Sequence, residues 1–105
     1  MILIVVDVAT LPGKRDEFVL HVHELLSGGP HGLLQYTLGT TASDLETLII
    51  VEEWQDEVLH KIFIGSDKFA TFEVATKMLV SGTPRSRQFT IDVPAGPKPP
   101  IISLL

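Results

Sequence analysis

Apolar residues come in blocks whose spacing changes along the chain. Met1-Ile2-Leu3-Ile4-Val5-Val6-Asp7-Val8 is aliphatic and β-branched with no polar alternation, the pattern of a strand covered on both faces. Leu11-Pro12-Gly13 closes it. Lys14-Arg15-Asp16-Glu17 opens a helix in which Phe18, Val22, Leu25 and Leu26 share one face, with Glu17, His23 and Glu24 on the others. Ser27-Gly28-Gly29-Pro30 stops that helix. Leu33 to Gly39 predicts a second strand, Thr40 to Asp44 a polar turn, and Leu45 to Trp54 a third strand around Leu48-Ile49-Ile50-Val51. Gln55-Asp56-Glu57 supplies an N-cap for a short helix near Val58 to Ile64, which Gly65 breaks. Ser66 caps a longer helix, with Asp67 at its positive end and Phe69, Phe72, Thr76 and Leu79 on its inner face. Ser81-Gly82-Thr83-Pro84 ends it. Arg85 to Val93, with Arg87, Phe89, Ile91 and Val93 on one side, predicts the last strand.

The order β-α-β-β-α-β predicts an α+β, ferredoxin-like fold: one four-stranded antiparallel sheet with helices on one face. A domain over residues 1–93 is followed by a proline-rich tail, 94–105, whose four prolines keep it out of the sheet. The tail ends in Ile101-Ile102-Ser103-Leu104-Leu105, a sticky end expected to pack on protein, at the partner subunit or over a cavity mouth. The two-sided apolar character of the first and third strands leaves one sheet face without helices. A homodimer joined through that face is the expected remedy.

At 105 residues, with 45% hydrophobic and 20% charged positions, the chain suits one globular domain. Eight basic against thirteen acidic residues give a net charge of −5, which argues against a nucleic-acid partner. The absence of cysteine removes disulfides, a thiolate nucleophile and cysteine-ligated metal. No apolar run approaches the ~20 residues of a membrane span, and the apolar start is too short for a signal sequence. A cytoplasmic protein without a membrane partner is therefore expected.

Four segments recur in order: Pro12-Gly13-Lys14-Arg15-Asp16-Glu17-Phe18, Gly32-Leu33-Leu34-Gln35-Tyr36, Glu52-Glu53-Trp54-Gln55-Asp56, and Ser66 to Phe69. Together they make residues 2–93 resemble an antibiotic biosynthesis monooxygenase domain of the dimeric α/β-barrel superfamily. The resemblance implies two such sheets pairing into a barrel. It also implies an activity among those of the group: cofactor-free oxidation of phenols or anthrones to quinones, haem degradation, isomerisation, or, in related barrels, polyketide cyclisation. Many members carry a histidine nine residues after the tryptophan, and haem-degrading relatives use a histidine near there as iron ligand. Here that position is Phe63, so the resemblance points away from haem. His60 follows Trp54 by six residues, at a position that in quinone-forming relatives can face the substrate.

The candidate chemistry gathers around the end of the third strand. Trp54 is either core packing or a pocket wall whose indole N–H binds a substrate oxygen. Alternation puts Leu48, Ile50, Glu52 and Trp54 on one strand face, where a carboxylate needs a partner and tends toward a raised pKa. His60 lies about 60° from Phe63 around its helix, at the rim of the apolar face. It is either a solvent-facing residue or the catalytic base. Phe63 and Phe72 would form the apolar wall. Tyr36 is either core or a phenol lent to the cavity, and His21 borders the apolar face of the first helix. His21 and His23 point about 200° apart and do not chelate. His31 reads as a turn residue. No serine triad, dinucleotide loop or zinc motif is present. The chain is expected to need no cofactor or metal. It would act on a small aromatic substrate, with O₂ in the oxygenase reading; a cyclase, dehydratase or isomerase, or a ligand-binding dimer without catalysis, are the alternatives.

Overall fold

The computed structural model describes residues 1–92 of the chain. The elements run β1 (Ile2–Ala9), α1 (Arg15–Leu26), β2 (Leu33–Thr41), β3 (Asp44–Trp54), α2 (Glu57–Ile64), α3 (Asp67–Thr76) and β4 (Arg85–Thr90), with a 3₁₀ turn at Lys77–Leu79 before β4. The strands form one antiparallel sheet in the order β2-β3-β1-β4. This is the expected ferredoxin-like α+β fold.

Local signals account for the helix boundaries. Asp56 accepts a hydrogen bond from the Leu59 N–H at 2.9 Å and Ser66 accepts one from the Phe69 N–H at 3.2 Å, so α2 and α3 each begin at their expected cap. Two strand boundaries differ from expectation. The polar turn between β2 and β3 shrinks to Ala42-Ser43, because Thr40 pairs with Leu48 and Thr41 with Asp44 across a register shift. The Asp44 carboxylate ties this turn, accepting from Glu46 N at 3.0 Å and Thr47 Oγ1 at 2.8 Å. The last strand ends at Thr90, opposite Ile2 at the start of β1, with one further backbone bond from Ile91 N to Met1 O at 3.0 Å. Val93 and the tail Pro94 to Leu105, with everything expected of them, lie outside the described residues.

Strand alternation divides the sheet into two unlike faces. Even positions of β1 and β3, including Ile2, Ile4, Val8, Leu48, Ile50 and Trp54, are buried under the helices. Each such aliphatic side chain contributes roughly 1.5–3 kcal/mol by leaving water. Phe18, Val22, Leu25 and Leu26 of α1 complete this layer as their spacing predicts. Odd positions face away from the helices. Leu3, Val5, Ile49 and Val51 there are only part-buried, so β1 is not covered on both sides within the described chain.

One glycine positions α2. Gly32 has φ +91°, and a Cβ there would sit 2.6 Å from Leu59 Cβ. Its carbonyl accepts from Gln55 N at 2.7 Å. The start of α2 thus lies directly over the start of β2. At the opposite end of the sheet, Leu11 N donates to Leu79 O at 2.9 Å and Ser81 N to Ala9 O at 2.7 Å, with Thr10 bridged to Val80. The segment after α3 is thereby sewn to the end of β1.

Candidate active site

A cavity of about 790 Å³ lies between the helices and the β1–β4 half of the sheet. Its floor is Ile4, Val6 and Val8 of β1 with Ile50 of β3, and α1 contributes Phe18 and Val22. Phe63, Phe69 and Phe72 form an aromatic wall: Phe69 packs on Phe63 and Phe72 at centroid distances of 5.4 and 6.0 Å. Two groups able to move a proton interrupt this apolar lining at one end, Glu52 from β3 and His60 from α2. The volume falls in the range of sites for drug-sized molecules, with few polar groups in an apolar shell.

Glu52 is buried, and Trp54 donates its indole N–H to Glu52 Oε1 at 2.8 Å. Burial pushes the carboxyl pKa up, and the indole bond offsets part of that rise. No cation pairs with it among the described residues. His60 is half-buried on the cavity wall. Desolvation lowers its pKa from the ordinary 6.5, against a smaller opposing pull from Glu57. A neutral imidazole and a carboxyl inclined to keep its proton therefore share one end of a largely apolar space.

Trp54 is not where a substrate-binding indole would be. It is fully buried, it does not line the cavity, and its only N–H is taken by Glu52. Its ring backs the wall instead, 5.2 Å from the His60 ring and 5.0 Å from Phe63. The reason is register: Trp54 pairs with Ile2 and Leu33 at the end of the central strand β3, and its indole folds back over Glu52 two residues earlier. Tyr36 also misses the cavity. It pairs with Glu52 across the strands, but its O–H goes to His23 Nδ1 at 2.6 Å, outside the cavity wall. His21 does not reach the cavity either. His60, Glu52, Phe63 and Phe72 are the sequence candidates that meet there.

Sequence reasoning did not single out Glu73 and Lys77, or Thr83 and Ser86, which line the far end. Lys77 and Thr83 reach it because the segment after α3 is bonded back to β1, and Ser86 because β4 pairs with β1 opposite Val6, long-range pairings with no local signature; Glu73 comes from α3 itself. Among the described residues, no three His, Asp or Glu side chains gather within metal-ligating reach. No described helix is long and apolar enough to cross a membrane.

The sequence profile of the antibiotic biosynthesis monooxygenase family matches residues 1–75, which span β1 through most of α3. The chain belongs to the antibiotic biosynthesis monooxygenase family. Solved structures share its fold. A conserved protein of Methanosarcina mazei superposes with TM-score 0.77 at 22% identity, covering 84% of this chain and 89% of that one. The Rv0793 protein of Mycobacterium tuberculosis gives 0.79 at 12% identity, over 90% and 98%. A structure described as an antibiotic biosynthesis monooxygenase gives 0.76 at 18% identity, over 90% and 100%. At such identities the likeness speaks to the fold. No curated protein matches the chain. The family and its fold make this a monooxygenase-fold domain.

Proposed function

We propose that the chain is a cofactor-independent monooxygenase that oxidises a phenolic, anthrone or polyketide-derived aromatic substrate to a quinone. The observation that carries this reading is His60, kept neutral by burial at the wall of an apolar cavity large enough for fused aromatic rings. An anthrone methylene is acidic enough to yield a proton to an imidazole. His60 takes that proton, and the carbanion passes one electron to O₂. The radical pair joins, forming a carbon–oxygen bond, and the peroxide oxygen recovers the proton from the imidazolium. His60 then removes the remaining hydrogen from that carbon. The O–O bond breaks, the carbonyl forms, and the departing hydroxide leaves as water. One CH₂ and one O₂ thus become one C=O and one H₂O. The apolar wall excludes water and strengthens each proton transfer.

The burial of Glu52 supports a second reading. A carboxyl whose pKa burial raises and an imidazole whose pKa burial lowers, at one end of the cavity, make an acid–base pair suited to a cyclase or dehydratase. We also propose a homodimer joined through the sheet face that carries Leu3, Val5, Ile49 and Val51.

The test is O₂ uptake with a panel of phenols and anthrones. Stoichiometric O₂ consumption with quinone formation is the expected result, and product without O₂ favours the second reading. A positioned base contributes about 10²–10⁴-fold, so His60→Ala should lower kcat by roughly tenfold or more while the chain stays folded. In the parent, kcat/KM should rise with pH along an acid limb that lies below the usual histidine value, and His60→Ala should lose that limb. Activity of His60→Ala within about twofold of the parent removes His60 as the base.

A further inference from the structure

The cavity has two unlike ends. Ile4 pairs with Glu52 and lies level with the proton-transfer end, whereas Val8 pairs with Leu48 toward the other. All of Ile4, Val6 and Val8 line the space, so its long axis follows β1. Four residue steps of strand carry the chain from Ile4 to Val8, about 13 Å. The far end is bordered by the segment bonded back to Thr10 and Leu11. Lys77 stands there on the 3₁₀ turn and lines the cavity. It makes no ion pair among the described residues, whose salt bridges involve Arg15, Lys61 and Arg87. Thr83 adds a hydroxyl near the same end and Ser86 one further along, opposite Val6, and Glu73 lines the cavity one turn before Lys77 without contacting it within salt-bridge distance.

We propose that Lys77 is an anion-recognising residue that selects aromatic substrates bearing a carboxylate, held lengthwise with the reacting carbon at His60. This rests on the aromatic-substrate reading and deepens it by naming the substrate class. The physical reason is that Lys77, hydrated and without a carboxylate partner among the described residues, stands at the cavity rim where a ligand anion can pair with it. The ligand carboxylate would meet Lys77 at the solvent-facing rim of the cavity, so the attraction is modest and sensitive to salt. The Glu73 carboxylate opposes an anion there, so it tunes the preference downward.

The test is equilibrium binding of anthraquinone-2-carboxylate and its neutral carboxamide, both inert to oxygenation, read by calorimetry. The parent should prefer the acid by roughly fivefold, the scale of a partly exposed charge pair. Lys77→Met should abolish the preference by weakening the acid alone, Lys77→Arg should keep it, and Glu73→Gln should enlarge it. Added salt should erode acid binding more than amide binding in the parent. Equal affinities in the parent, or a preference that survives Lys77→Met, would overturn the proposal and leave the aromatic-substrate reading standing. No binding of either compound would remove the aromatic-substrate reading and this proposal with it. Lys77 is exposed, so both variants should fold, and circular dichroism checks that.

Discussion

Glu52 and Trp54 show how two residues on one strand face settle each other's role. The indole, buried beyond reach of any ligand, satisfies one carboxylate oxygen and cushions His60. Glu52 in turn is held where ionisation is costly. Because folding raises its pKa, the folded chain keeps this proton at pH values where the unfolded chain has lost it. Stability from this group is therefore full below the ordinary carboxyl value of 4.5 and falls as pH rises through the folded value. Glu52→Gln keeps an acceptor for the indole and removes the ionisation. The variant should melt higher than the parent at about pH 8, with the gap shrinking toward about pH 4. Melting curves at the two pH values check this, and a gap that does not change with pH would show that Glu52 titrates normally. His60 has the opposite sign. Its lowered pKa adds stability above the usual histidine value and loses it as pH falls through the folded one.

Among the elements, α2 depends most on its ends. Eight residues are too few for a helix to persist unaided, so packing and the Asp56 cap hold it. Asp56→Ala should cost about 1 kcal/mol of stability and lower turnover, since His60 lies one turn beyond the cap; Asp56→Ser should recover both. Urea denaturation with parallel activity assays measures the pair, and an unchanged midpoint in Asp56→Ala would make the cap idle. The caps at Asp56 and Ser66 were legible in the sequence because an N-cap is satisfied within three residues of itself. The length of β2 was not. Thr40 and Thr41 look like turn residues locally, and only pairing with β3 makes them strand. His21 and Tyr36 lie off the cavity for a related reason: helical and strand phase say which face a residue is on, not how far along that face the cavity extends.

At the scale of the molecule, the sheet presents Leu3, Val5, Ile49 and Val51 to the side without helices, beside the exposed Phe89 and near the 3.6 Å Arg87–Asp7 ion pair. A part-apolar face of this kind invites a second copy of the chain. Val51→Glu puts a charge at its centre. The parent should scatter light as a dimer at micromolar concentration and Val51→Glu as a monomer with its fold intact. A monomeric parent would end the homodimer reading.

The order of elements, the buried faces of α1 and β3, both helix caps and the presence of His60 and Phe63 at an apolar rim follow from the sequence alone. Each rests on periodicity or on a partner within a few residues. The burial of Trp54, its bond to Glu52 and the diversion of Tyr36 to His23 were decided by tertiary structure. So was the arrival of Lys77 at the far end of the cavity. Trp54 and Glu52 are only two residues apart, but what buries them is the packing of the helices on the sheet; Tyr36 meets His23 across thirteen residues, and the pairing of Thr10 with Val80 that brings Lys77 to the cavity spans far more, so no local pattern encodes these outcomes.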